Sequence, residues 1–204
     1  MKEKTKKTIN KKSVIFDILA IICIILFCIA ISPVTMQNDT YYTVKIGETI
    51  VQNGIDGMDH FSWHENLNYE YPHWLYDVMM YFIYNMGGWT GIYISTLVFT
   101  CLLGITLYIT SKKMCKNQIV PFVLTIASIF LIKSYIAARA QLVTFILFVL
   151  EVFFIEKFIK NRKIGYAVGL LSISLLIANL HVAVWPFFFV LFLPYIAEYL
   201  VCAI

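Results

Sequence analysis

The side chains able to do chemistry are gathered in one stretch of this chain, residues 32–73. It reads SPVTMQNDTYYTVKIGETIVQNGIDGMDHFSWHENLNYEYPH. It holds Asp39, Glu48, Asp56, Asp59, Glu65 and Glu70, half of the 12 acidic residues, and His60, His64 and His73, three of the four histidines. Carboxylates and imidazoles move protons and ligate metals. His60 and His64 stand four apart, and with Asp56, Asp59 and Glu65 they could hold a divalent cation, although Gly57 and the lack of a helical period make that spacing a weak motif. Two cations, Lys133 and Arg139, lie in a second short segment, IKSYIAARAQ. Ala137, Ala138 and Ala140 around Arg139 leave room for a ligand; the alternative is snorkelling of long stems to an interface. His181 follows Asn179 at the end of an apolar run, where it faces either a ligand or a backbone group at a helix end. Glu151 and Glu198 lie inside apolar runs, where a carboxylate is costly unless paired or protonated.

The elements that must position these groups are hydrocarbon-like. Of 204 residues, 60% are hydrophobic and 14% charged, against roughly 25% charged in soluble domains. A membrane-crossing helix needs about 20 mostly apolar residues. The pattern predicts an all-α polytopic bundle of six spans in one membrane domain: a tail at 1–13, spans at 14–32, 89–110, 119–135, 140–157, 163–180 and 182–204, and a polar loop at 33–88. The first run is too long, and Ser32-Pro33 too poor a cleavage site, for a removed signal peptide. Cys23, Cys28, Cys101 and Cys202 sit in apolar runs and Cys115 in a turn, so the polar loop has no disulfide framework.

Charge sets the expected orientation. Lys2, Lys4, Lys6, Lys7, Lys11 and Lys12, then Lys112, Lys113 and Lys116, then Lys157, Lys160, Arg162 and Lys163 are thirteen of the 16 cations. Six alternating spans put all of them on one side, the cytoplasmic one by the positive-inside rule. This predicts a multi-pass cell-membrane protein with a cytoplasmic N-terminus and the 33–88 loop outside. The net charge of +4 then reflects oriented insertion and not affinity for nucleic acid.

Within the loop, Gln37-Asn38-Asp39-Thr40 reads as a turn, residues 40–48 as a short helix on the outer leaflet, and Gly47, Asn53-Gly54 and Asp56-Gly57 as turns. Leu75, Val78, Met79, Phe82, Ile83 and Met86 recur at helical spacing among Trp74, Tyr76, Tyr81 and Tyr84, which predicts a surface helix broken by Gly87-Gly88 before the second span.

A basic tail, one span, an Asp just beyond it, a loop with surface helices and then packed spans: this order resembles the GT-C superfamily of polytopic glycosyltransferases, which includes the protein mannosyltransferases. NDTYYTVKIGETIVQNG is similar to the opening Asp segment of that family, PHWLYDVMMYFIYNMGG to its second surface helix, and RAQLVTFILF and IANLHVAVW to its Arg-Ala-Gln and Asn-Leu-His elements. The acidic pair often found in the first loop is here Asp39-Thr40, and an apolar run reaching Ile204 reads as the N-terminal part or a truncated form of a longer protein. The resemblance implies transfer of a sugar from a polyprenyl-phosphate carrier to an external glycan, lipid or protein acceptor at the outer membrane face. It implies Asp39 as the base, Arg139 and Lys133 as holders of the donor phosphate, and His181 as a contact to phosphate or acceptor. The alternatives are a non-catalytic assembly protein and a transporter or flippase, which would keep its ionisable groups near mid-membrane.

The cation split is testable by labelling. Cysteines placed at Asn53 and Asn161 in a cysteine-free background are expected to react with an impermeant reagent from outside and from inside, respectively; labelling of position 161 in intact cells contradicts the orientation.

Overall fold

The computed structural model describes residues 11–115 and 117–202. Residues 1–10 of the expected tail at 1–13, Lys116 and the last two residues of the expected sixth span lie outside the described residues, and residues 11–13 of that tail belong to the first helix. The described chain is all-α: α1 Lys11–Ile31, α2 Asn38–Asn53, α3 Trp74–Met114, α4 Ile119–Leu131, α5 Ala140–Asn161, α6 Ile164–Leu180, α7 Pro186–Val190 and α8 Leu193–Cys202, with 3-10 turns at Lys133–Tyr135 and Val182–Val184.

Helix α3 is the spine. Its 41 residues would extend about 60 Å if straight, twice the roughly 30 Å hydrocarbon thickness of a bilayer. It is not straight: Gly88 sits at φ 57 and ψ −150, outside the helical region, and breaks it where the sequence predicts a break. The first part packs with α2, α5 and α6 around Tyr76, Met80, Leu147, Ile173 and Ile177, and Ile92 just past the break joins the same cluster. The second part packs with α1 and α4 around Ala20, Ile24, Cys28, Tyr108 and Ile129. Gly104 lets α1 approach, since a Cβ there would lie 2.7 Å from Ile24 and 3.0 Å from the Cys28 sulfur. At the far end of α1, Asp17 accepts a 2.7 Å hydrogen bond from the Tyr108 hydroxyl and pairs with Lys112. That pairing supplies the partners a carboxylate needs inside an apolar helix.

Among the described residues three helices, and not six, are long and apolar enough to cross a membrane: Ser13–Ile31, Trp74–Met114 and Val182–Cys202. They mark an integral membrane protein. The other expected spans fall short for separate reasons. Helix α4 stops after 13 residues and α6 after 17, about 20 and 26 Å of rise. Helix α5 is long enough but carries Glu151, Glu156, Lys157 and Lys160. The last expected span is among the three, but it is built of a 3-10 turn, α7 and α8, with Pro186 and Pro194 in the first turns of the two helices, where their missing N–H costs least. Large apolar side chains of α1, among them Ile15, Ile18, Leu19 and Leu26, stay exposed, as a surface facing lipid requires.

The loop helices differ in one instructive way from expectation. Helix α2 runs on to Asn53, and Gly54 (φ 80) and Gly57 (φ 72) make the predicted turns. Gly47 does not turn; it lies inside α2 and is buried against α3. A Cβ at this position would sit 2.6 Å from the Asp77 carbonyl carbon and 2.7 Å from the Tyr81 Cβ. The rest of the loop folds back on α2 through Tyr42, Phe61 and Tyr69, whose rings meet edge to face.

Gly47→Ala is therefore expected to force α2 off α3 and to destabilise the detergent-solubilised protein by about 1–3 kcal/mol, the usual cost of overpacking. Gly87→Ala, where an added Cβ meets nothing within 4 Å, is the control and is expected to be neutral or slightly stabilising. Equal melting temperatures for the two variants would contradict the crossing.

Candidate functional site

Helix α2 presents Asp39, Thr43 and Gly47 at intervals of four, one face of a helix. Because Gly47 fixes that face on Asp77, the two residues above it are carried to the start of α3, where His73 is the N-cap residue. The backbone N–H of Val182 donates to the Pro72 carbonyl at 2.9 Å, and the Trp74 indole donates to Asn179 at 3.1 Å. These two bonds hold the end of α6, and His181 after it, against the same point. Helix α5 starts there too, with Arg139 as its N-cap residue.

The result is a cavity of about 130 Å³ lined by Asp39, Thr43, His73, Arg139, Gln141 and His181, together with Ala140. Three of the four residues singled out in the sequence meet in it. Asp39 and Arg139, 100 positions apart, form an ion pair. His181 Nδ1 lies 3.3 Å from the Thr144 hydroxyl. Burial, and then the nearby His73, lower the His181 pKa and favour its neutral form. Lys133 does not join them: its ammonium sits 4.7 Å over the Phe130 ring, outside the cavity. The expected room around Arg139 is also absent on one side. Ala137, Ala138 and Ala140 are buried, and their small size lets α2 come close enough for the Thr40 hydroxyl to donate to the Ala138 carbonyl at 3.4 Å.

Sequence reading missed His73 as a site residue and did not consider Asp77. The His73 Nδ1 lies 2.7 and 2.8 Å from the two Asp77 oxygens, and Asp77 is fully buried. The signal was present as a His and an Asp four apart at the start of a predicted helix, where they share a face. It was hidden because the surrounding aromatic residues suggested an interfacial role.

Three helices point their N-termini at this cavity, and none of α2, α3 and α5 has a side-chain cap on its first turn. Uncapped N–H groups and the positive end of the helix dipole both favour a negative ligand. Two buried polar atoms of the cavity residues, Arg139 Nε and Gln141 Oε1, have no hydrogen-bond partner among the described residues. The loop cluster proposed for a cation behaves differently. Asp56 Oδ1 accepts the Met58 N–H at 3.0 Å and Oδ2 lies 2.7 Å from the His60 ring. The Asp56 carboxyl pKa is lowered by the Met58 N–H first and His60 second. Asp59 accepts the N–H groups of Phe61 and Ser62. These carboxylates shape turns, and among the described residues no three metal-ligating side chains converge.

The two charge pairs differ in what they do for the fold. His73→Ala leaves the buried Asp77 carboxylate without its partner and is expected to cost about 2 kcal/mol or more. Asp39→Ala breaks an ion pair whose side chains are 38% and 64% exposed, expected to cost under about 1 kcal/mol. Melting curves in detergent check the order; a more damaging Asp39 variant would contradict it.

No family model matches the chain, and no curated protein or solved structure matches it.

Proposed function

We propose that this protein is a membrane transferase of the GT-C type, which moves a sugar from a polyprenyl-phosphate carrier to an acceptor at the external face. The observation that carries this reading is the cavity itself: a permanent cation, a carboxylate, two imidazoles and three uncapped helix N-termini in an otherwise apolar bundle. Its volume of about 130 Å³ equals roughly four waters at about 30 Å³ each. That is room for a phosphate, with the sugar and the acceptor outside it. Apolar grooves, such as one of about 480 Å³ lined by Leu107, Phe148, Val152 and Phe187, suit a hydrocarbon tail.

The chemistry asks little more of the protein. A lipid phosphate is a good leaving group, so the reaction needs a cation to receive its charge and a base for the acceptor hydroxyl. Arg139 serves as the cation, because guanidinium meets two phosphate oxygens at once. An arriving phosphate competes with Asp39 for Arg139, which would free the carboxylate as the candidate base. His181 is a further contact to phosphate or acceptor. In this reading the loop of 33–88 lies outside and the N-terminus inside, as the cation distribution favours. A transporter is the rival reading, favoured by Glu151, a fully buried carboxylate in α5 whose oxygens have no partner among the described residues.

Farnesyl phosphate is a short probe of the proposed headgroup, with farnesol as its control. The phosphate form is expected to bind and farnesol to bind at least tenfold more weakly. Arg139→Ala is expected to weaken farnesyl phosphate about 10–100-fold, the worth of a charge-assisted hydrogen bond. Arg139→Lys should have a smaller effect, and Lys133→Ala should stay within about twofold of wild type. Equal binding of the two probes, or an unaffected Arg139→Ala variant, would sink the lipid-phosphate reading.

A further inference from the structure

At the cavity stands a pair, His73 and Asp77, to which the resemblance gives no role. His73 lines the cavity, and its Nδ1 is taken up by the Asp77 carboxylate behind it. With Asp77 ionised, its oxygens only accept hydrogen bonds, which keeps the hydrogen on Nδ1. In the neutral ring this leaves the lone pair on Nε2, the free nitrogen of a side chain that is 26% exposed. Asp77 is fully buried, so the imidazole is the group through which its charge can act.

We propose that His73, oriented by Asp77, is the proton acceptor of this cavity. The other candidates are less suited. The Asp39 side chain is 64% exposed, open to water, and is paired with Arg139 when no phosphate is bound. His181 has no carboxylate behind it: its Nδ1 lies 3.3 Å from the Thr144 hydroxyl, and burial and then His73 lower its pKa. The charged and titratable groups that face the pair are Asp39 from α2, Arg139 from α5, His181 after α6 and Tyr69 from the loop, which senses the Asp77 charge.

The identity of the hydroxyl that gives up the proton rests on the transferase reading above. There, the acceptor O–H proton passes to His73 Nε2 as the acceptor oxygen bonds to the anomeric carbon. The bond from that carbon to the phosphate oxygen breaks, and its electron pair leaves on the phosphate opposite Arg139. Asp77 is the positioning residue: it fixes the tautomer and balances the imidazolium that forms. Asp39 then pairs with Arg139 only until the phosphate arrives.

The pair is testable with no donor in hand. The protein has four histidines, few enough for imidazole nitrogen-15 spectra of the labelled, detergent-solubilised chain. His73 is expected to show the Nδ1–H tautomer. Asp77→Asn keeps the shape, but its amide can donate to Nδ1, and it is expected to move the hydrogen to Nε2. In parallel, diethyl pyrocarbonate should modify His73 at Nε2, read by peptide mass spectrometry. The rate should fall at least tenfold in Asp77→Asn and stay within about twofold in Lys133→Ala. An Nε2–H tautomer in the wild-type protein, or equal His73 modification with and without the Asp77 carboxylate, would overturn the proposal. Farnesyl phosphate should protect His73 from the reagent. Absence of protection with the Nδ1–H tautomer intact would count against the lipid-phosphate reading while upholding the pair.

Discussion

The close crossing of α2 on α3 at Gly47 is the contact on which the site depends. Only a residue without a side chain fits there, because the Asp77 backbone occupies the place of a Cβ. The crossing sets the rotation of α2. Asp39 and Thr43 stand eight and four positions before Gly47, so the face that touches Asp77 also carries them to His73. A small shift in that register would turn Asp39 away from Arg139. The loop of 54–73 can be irregular because this contact, and the aromatic cluster of Tyr42, Phe61 and Tyr69, hold it down.

Several charged groups of this bundle are paired, in distinct ways, while the buried Glu151 carboxylate has no partner among the described residues. Asp17 is matched by Tyr108 and Lys112 at one end of α1. Asp77 is matched by His73 at the start of α3. The pair of Asp39 and Arg139 is more exposed and contributes little to the fold, which leaves it free to exchange partners. Three helix N-termini without side-chain caps also meet at this cavity, an arrangement that favours negative charge. Stability and ligand preference thus come from different pairs within a few residues of one another.

Much of the helical content was legible in the sequence, as was the break at Gly88, because apolar period and glycine chemistry are local signals. Six spans were not borne out: three helices among the described residues are long and apolar enough. Apolar runs report composition, but helix ends are set by local turns such as Lys133–Tyr135 and by Pro186 and Pro194. Asp39, Arg139 and His181 could be singled out one at a time from charge and position, yet their convergence depends on contacts 37 and 100 residues apart along the chain, which no local pattern encodes. Gly47 illustrates the limit well. A glycine in a polar stretch suggests a turn, and only the partner helix reveals that it is a packing site. Lys133 shows the converse, since a charge close in sequence to Arg139 spends itself on a Phe130 ring instead.

Direct contact between Asp39 and position 139 is the test closest to the centre of this arrangement. Zero-length carbodiimide coupling joins a carboxylate to an amine only when the two touch, so the Arg139→Lys variant converts the ion pair into a reportable bond. The coupled peptides should contain Asp39 and position 139, and the product should vanish when Asp39→Asn is added. Lys45 and Glu48, paired at 2.6 Å within α2, provide the internal positive control. Coupling of Lys45 to Glu48 without any product between Asp39 and position 139, in protein that remains folded, would contradict the assembled site.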